Sequence, residues 1–222
     1  FQGKKIRLTS DPSYDFYPVW SPSGAQIAFS SVRMASADIF LLPATEEENE
    51  PLSIVTGAKS EWVTSWSRDA GYLAYELNDP ETNRDIWYIP MKGGRGERRP
   101  TAFLQTPAQE LYPQLSPSGS QIAYQSDESG KSEIYIRSFP SGRNKVRGSV
   151  NGGTAPRWGG DGDRLFYVNN NTLMAVVVKN KDGQREVEEP EPLFHAEDAV
   201  VRLLGAFLEP AYDVAENGAR FV

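Results

Sequence analysis

Three acidic residues recur in one local setting. Asp38 opens Asp38-Ile39-Phe40, Asp85 opens Asp85-Ile86-Trp87 and Glu133 opens Glu133-Ile134-Tyr135. Two carboxylates facing each other across a pocket can hydrolyse a glycosidic bond, one as general acid and the other as nucleophile or base. Clustered carboxylate oxygens also suit a hard cation such as calcium. A glycosidase-like hydrolase, with calcium as the one cofactor these groups would take, is therefore the chemistry to weigh. It requires Asp38, Asp85 and Glu133 to converge at a single mouth. Their repetition argues against it, because catalytic residues usually break the symmetry of a repeat. The expectation is that each carboxylate anchors its own unit through nearby backbone amides, leaving no catalytic residue and no metal ligand assigned.

Other chemistries lack their residues. With no cysteine, thiol nucleophiles, disulfides, Cys-based zinc sites and Cys-linked haem are excluded. The single histidine, His195, sits in Pro192-Leu193-Phe194-His195-Ala196, which reads as an outer strand away from any cavity, so a Ser–His triad has no base. There is no G-x-S-x-G elbow, and no lysine strand, H-R-D or D-F-G of a kinase. Gly93-Gly94-Arg95-Gly96 follows a strand pattern but leads into no helix, so it reads as a linker rather than a phosphate cradle.

The formal charge of −7 opposes nucleic-acid binding, which needs a basic stripe. The basic clusters Arg95-Arg98-Arg99 and Arg143-Lys145-Arg147 fall in turn-like stretches, and the acidic run Glu46–Glu50 reads as a solvated loop tip. No apolar run approaches the ~20 residues of a membrane span, so no membrane contact is expected from this segment, and no signal peptide is visible. The opening Phe1-Gln2-Gly3 looks like the end of a cleavable expression tag, which predicts a piece of a longer protein.

The elements that must carry these residues are repeats. YPVWSPSGAQIAF from residue 17 and YPQLSPSGSQIAY from residue 112 agree at nine of thirteen positions. VTSWSRDAGYLAY from 63, APRWGGDGDRLFY from 155 and AYDVAENGARFV from 211 bring the copies to five. Each copy is a strand, a tight turn and a second strand, and in three of them a small residue (Ala28, Ala74, Ala123) sits mid-strand, which suits close approach between sheets. The third strand begins at the acid, and an outer strand such as Pro51–Val55 or Thr101–Leu104 closes the unit. Trp20, Trp66, Leu115, Trp158 and Val214 mark one position at spacings of 46, 49, 43 and 56 residues. A period in the forties built from short strands predicts an all-β propeller of four-stranded blades.

A single propeller domain is therefore expected over residues 4–222, after a tag remnant at 1–3. Its blades should run about 17–56, 63–106, 112–150 and 155–195, with a last blade at 211–222 closed by a strand at 5–9. The ring is five-bladed, or part of a six-bladed or larger one. One short helix fits, at Glu197–Leu204, in the longest stretch between copies.

Pro18-Val19-Trp20-Ser21-Pro22-Ser23-Gly24, Ile27-Ala28-Phe29 and Asp38-Ile39-Phe40 together resemble the TolB-like (WD-like) β-propeller repeats of bacteria. Phe103–Pro107, Glu133–Pro140, Leu165-Phe166-Tyr167 and Tyr212-Asp213-Val214 look more particularly like the propeller tail of bacterial serine/threonine protein kinases. That resemblance implies a module outside the cytoplasm, in the periplasm or beyond, binding a protein, peptide or small ligand without catalysis. The second copy lacks the turn proline and the fourth lacks the acid before Leu173, which weakens any binding role repeated in every blade. The recurrent aromatics Tyr17, Tyr112, Trp20, Trp66 and Trp158 read as inter-blade fillers. Phe16 and Trp62, just ahead of repeat strands, are the aromatics expected to reach a contact face.

Overall fold

The computed structural model describes residues 6–33, 35–45, 49–181, 184–199 and 212–214. Three four-stranded antiparallel sheets and a five-stranded one follow in chain order among them. The first blade holds β1 (Asp15–Trp20), β2 (Gln26–Ser31), β3 (Asp38–Pro43) and β4 (Leu52–Val55). The second holds β5 (Glu61–Trp66), β6 (Tyr72–Asp79), β7 (Asn83–Pro90) and β8 (Thr101–Leu104). The third holds β9 (Glu110–Leu115), β10 (Gln121–Ser126), β11 (Glu133–Ser138) and β12 (Val146–Arg147). The fourth holds β13 (Thr154–Trp158), β14 (Arg164–Asn169), β15 (Thr172–Lys181), β16 (Gln184–Val187) and β17 (Glu191–His195). The long β15 pairs β17 with its first half and β16 with its second, so the outer position of this blade is shared. The first strands β1, β5, β9 and β13 touch in succession and form the inner wall of a β-propeller.

Each first hairpin closes on the same turn. Gly24 N–H donates to Ser21 O at 2.9 Å, Gly119 N–H to Ser116 O at 2.8 Å and Gly162 N–H to Gly159 O at 3.0 Å, each donor at positive φ. In the second blade Ala70 takes this place, with φ 57°. Asp69 offsets the strain by accepting from Ser67 Oγ at 2.7 Å and from Gly71 N–H at 3.0 Å.

The apolar interior is a series of layers between blades. Ala28 shares a layer with Leu73 and Tyr75 of the next blade, Ala74 with Ile122 and Tyr124, and Ala123 with Leu165 and Tyr167. The small residue at the centre of the second strand in the first three blades thus makes room for the aromatic of the following blade. Tyr75, Tyr124 and Tyr167 are all fully buried as a result. Tyr212 and Val214 extend the series beyond the fourth blade, packing with Ala155, Phe166 and Leu173.

Two expectations differ as far as the described residues reach. Residues 6–9 form no strand; Leu8 instead packs on Phe29, Phe40 and Leu42 at the free flank of the first blade. Without an alternating ladder partner this stretch gains only that apolar contact. Lys5, the tag-like Phe1–Gly3 and the last copy apart from 212–214 lie outside the described residues, as does most of the acidic run at 46–50. The helix expected at Glu197–Leu204 is a single turn, α1 (Ala196–Ala199), as far as the described residues reach.

Filling one of the small central positions should split a layer. Ala123→Leu adds three carbons where Leu165 and Tyr167 already close the space, and overpacking of this kind costs about 1–3 kcal/mol. At roughly 2–4 °C per kcal/mol for a chain of this size, the melting temperature should fall by about 2–12 °C. Ala70→Gly, which removes a strained positive φ, should instead raise stability by about 0.5–1 kcal/mol. Thermal denaturation followed by circular dichroism reads both.

Candidate functional site

The first strands are sheet edges, and three of them carry a proline: Pro18 in β1, Pro113 in β9 and Pro156 in β13. A proline is tolerated there because its missing N–H faces the central space rather than a ladder. The residue before each proline, Tyr17, Tyr112 or Ala155, adopts a positive φ of 51°, 53° or 55°. At the same point the register against the second strand slips. These are β-bulges, which re-aim the side chains that follow. The re-aimed strand ends enclose a cavity of about 480 Å³, lined by Trp20, Trp66, Trp158, Arg68, Arg157, Gln114 and Tyr212 among others. Among the described residues Asp213 is the one carboxylate on its wall. Trp158 Nε1 donates to Gln114 O at 3.0 Å and Gln114 Nε2 to Thr64 O at 3.2 Å, tying the inner walls of three blades together.

Asp38, Asp85 and Glu133 are not at this mouth. They begin third strands, one layer of sheet away from the inner wall, and each is buried. Asp38 Oδ1 accepts from Gly57 N–H at 3.2 Å, and Glu133 Oε2 accepts from Ser149 Oγ at 2.5 Å and from Gly152 N–H at 3.1 Å. Asp85 Oδ2 accepts from Thr82 Oγ1 at 2.7 Å. Each acid therefore binds within its own blade or the linker that leaves it. No three carboxylate or imidazole groups converge as metal ligands among the described residues. The donor set does not fit calcium, which takes six to eight oxygens around one point.

Trp62 has the Arg84 guanidinium stacked 3.9 Å from its ring centre, and Phe16 meets Tyr17 edge-on at 5.2 Å. Among the described residues the exposed aromatics are Tyr14, at 84%, Trp20, at 59% on the cavity rim, and Tyr17, while Phe16 and Trp62 are half-buried. Trp20 was expected to be an inter-blade filler, like Trp158, which is buried; the first blade has no described blade before it to cover that ring. His195 lies on the outer β17, its Nδ1 2.7 Å from Thr172 Oγ1.

Sequence reasoning missed a second repeated polar position, at the end of the second strand. Ser30 Oγ accepts from Val63 N–H at 3.0 Å, Glu76 Oε1 from Tyr112 N–H at 2.7 Å, and Gln125 Oε1 from Thr154 Oγ1. Each reaches the first strand of the next blade. The available signal was the polar residue directly after Ile-Ala-Phe, Leu-Ala-Tyr and Ile-Ala-Tyr. A further pair of acids, Glu61 and Glu110, opens the first strands β5 and β9 and lies buried. Burial first, then the charge of Asp38, pushes Glu61 up to about 7. Burial does the same for Glu110, opposed by its bond from Thr106 Oγ1 and aided by Asp85.

No protein-family model matches the chain. Solved structures do resemble it. A protein assigned as TolB from Agrobacterium tumefaciens superposes with a TM-score of 0.61 at 22% identity, over 79% of this chain and 63% of that one. TolB from Acinetobacter baumannii gives 0.61 at 16% identity, over 81% of this chain and 44% of that one. A puromycin-hydrolyzing peptidase from Mycobacterium tuberculosis gives 0.57 at 15%, over 81% and 29%. At such identities the likeness is one of fold: the chain has a TolB-like propeller fold and spans less than two thirds of either TolB. No helix among the described residues is long and apolar enough to cross a membrane.

The buried acids should make stability depend on pH in a defined direction. The folded state holds Glu61 and Glu110 protonated up to about 7, whereas an unfolded chain releases those protons near the ordinary glutamate value of about 4.3. The folded chain therefore binds more protons across that window, and stability falls as pH rises through it. Urea unfolding at pH 5 and pH 8 should show a loss on the order of 2 kcal/mol at the higher pH. Glu61→Gln should leave pH 5 stability nearly unchanged and recover part of the loss at pH 8; an equal effect at both pH values would contradict this.

Proposed function

We propose that this chain is a non-catalytic recognition propeller, the extracytoplasmic ligand- or protein-binding module of a larger bacterial signalling protein such as a serine/threonine kinase. The observation that carries the reading is the division of labour among its polar groups. Carboxylates, the groups a propeller hydrolase would use, are spent in the seams between blades and in linkers. Among the described residues the central cavity is instead walled by tryptophans, a tyrosine, arginines and an amide, with Asp213 as its one acid. Such a wall can hold and orient a ligand through stacking and hydrogen bonds. It offers no pair of acids for general acid–base work.

The kinase-tail resemblance supplies the setting. A rigid ring outside the membrane would sense a ligand, and a separate domain would act on the event. The TolB-like fold supports a binding module as well. The peptidase similarity concerns only its propeller-like portion, since this chain covers 29% of that protein.

Selection of a peptide phage library on the immobilised protein tests the reading. Enriched peptides should bind the wild type and lose at least tenfold affinity against Trp20→Ala or Gln114→Ala. Turnover of glycoside or peptide substrates by the purified chain, abolished by Asp213→Asn, would overturn it.

A further inference from the structure

The charge of the central cavity runs against that of the molecule. The chain as a whole carries −7, yet among the described residues its cavity wall holds Arg157 with Asp213 as the acid, while Arg68, on the same wall, donates to Gly160 O. Among the described residues some cations, such as Arg137 and Arg185, bond carbonyl or hydroxyl oxygens, while Lys59, Arg84, Lys92, Lys145 and Lys179 each stand within ion-pair distance of a carboxylate.

Arg157 does not. It lies on the innermost strand β13, half-buried, with burial depressing its tendency to stay charged. Its hydrogen bond is from Nη1 to the carbonyl of Pro156, its own neighbour, at 3.0 Å. The ring centre of Tyr212 is 6.0 Å from its Cζ. Asp213 is close enough to stabilise the cation electrostatically, but one of its carboxylate oxygens accepts from Val214 N–H at 2.8 Å and it makes no ion pair with Arg157 among the described residues. A guanidinium carries five donors, and leaving a buried charge short of partners is costly.

A second donor in the same wall lacks an acceptor. Trp66 Nε1 is buried with no hydrogen-bond partner among the described residues, whereas the repeat-equivalent Trp158 Nε1 is satisfied by Gln114 O. Among the described residues this wall holds a guanidinium with one carbonyl partner and an indole N–H with none, and so is short of acceptors. The ligand that completes it brings oxygens and negative charge. A carboxylate meets the fork of an arginine with two parallel hydrogen bonds, which a lone point charge would not reward. At the rim, the exposed Trp20 offers an apolar face beside that anchor. The volume of about 480 Å³ suits one or two side chains with the remaining chain lying across the mouth.

We propose that the central cavity binds a peptide through a carboxylate held by Arg157, with an apolar side chain against Trp20. This rests on the recognition reading and narrows it to acidic peptides. The carboxylate has two sources, an acidic side chain or a free C-terminus, and the test separates them.

Three synthetic peptides serve as probes: acetyl-Gly-Leu-Glu-Leu-Gly-amide, the same sequence with Gln for Glu and a free C-terminal carboxylate, and a neutral version with Gln and a C-terminal amide. Binding is read by calorimetry and by tryptophan fluorescence at low and high salt, the probes carrying no tryptophan. At least one charged peptide should bind tenfold or more tighter than the neutral one, and 500 mM salt should weaken it. Arg157→Gln should abolish that preference. Arg157→Lys, which keeps the charge and the stem but not the fork, should retain a part of it with an unchanged melting temperature; this variant carries the test if the glutamine variant is unstable. Equal binding of all three peptides, or a preference untouched by either variant, overturns the carboxylate anchor and leaves the recognition reading standing. Silence of all three at millimolar concentration overturns the carboxylate anchor, and the recognition reading then stands or falls with the phage selection.

Discussion

No blade of this protein can bury both of its faces alone, and that constraint organises everything else. A four-stranded meander has two sides, and here each side becomes interior only when the next blade arrives. The alanine at the centre of one second strand receives the tyrosine of its successor, so Ala28, Ala74 and Ala123 are as necessary as Tyr75, Tyr124 and Tyr167. Burying a side chain of that size contributes about 1.5–3 kcal/mol, but only if both blades are in register. The layer is therefore a pairwise property, and stability accumulates blade by blade around the ring.

Apolar layers fix distance but not register along the strands, because they are non-directional. Direction comes from polar pins. Ser30, Glu76 and Gln125 each reach from a second strand to the first strand of the following blade, and Asp38 and Glu133 hold linker amides. Using acids this way has a physical cost. A carboxyl buried between sheets tends to keep its proton, as burial does to Glu61 and Glu110. Glu76 is the instructive exception in form: burial raises its pKa, while Arg84 and the Tyr112 N–H oppose that rise. The seams are thus where this acidic chain stores a share of its carboxyl groups.

The sequence made the repeat legible because the repeat is a local signal: a strand, a Ser-Pro-Ser-Gly turn and a strand need only neighbouring residues to be recognised. The propeller and the outer strand at His195 follow from that periodicity. The acid that opens each third strand was legible as a repeated anchor, but its partner was not. Gly57, Ser149 and Gly152 lie 16 to 19 residues further on, across an outer strand whose length varies. Strand β16 and the inert stretch 6–9 escaped for a related reason: both depend on which edge is free, and edges are set by the assembled ring. The cavity escaped because the bulges at Tyr17, Tyr112 and Ala155 reverse the side-chain alternation on which a strand reading depends.

Those bulges connect the scaffold to its function. A residue before proline is pushed away from helical angles, and here each is carried into the left-handed region, a conformation costing roughly 1 kcal/mol or more for a side chain larger than hydrogen. Three blades accept that cost at one position, and the strand ends beyond it are what enclose the cavity. A ring needing only to close would gain nothing from turning Arg157 and three tryptophans toward its axis. Placing a guanidinium there with one carbonyl partner among the described residues, in a chain with acid to spare, makes sense when the missing carboxylate belongs to another molecule.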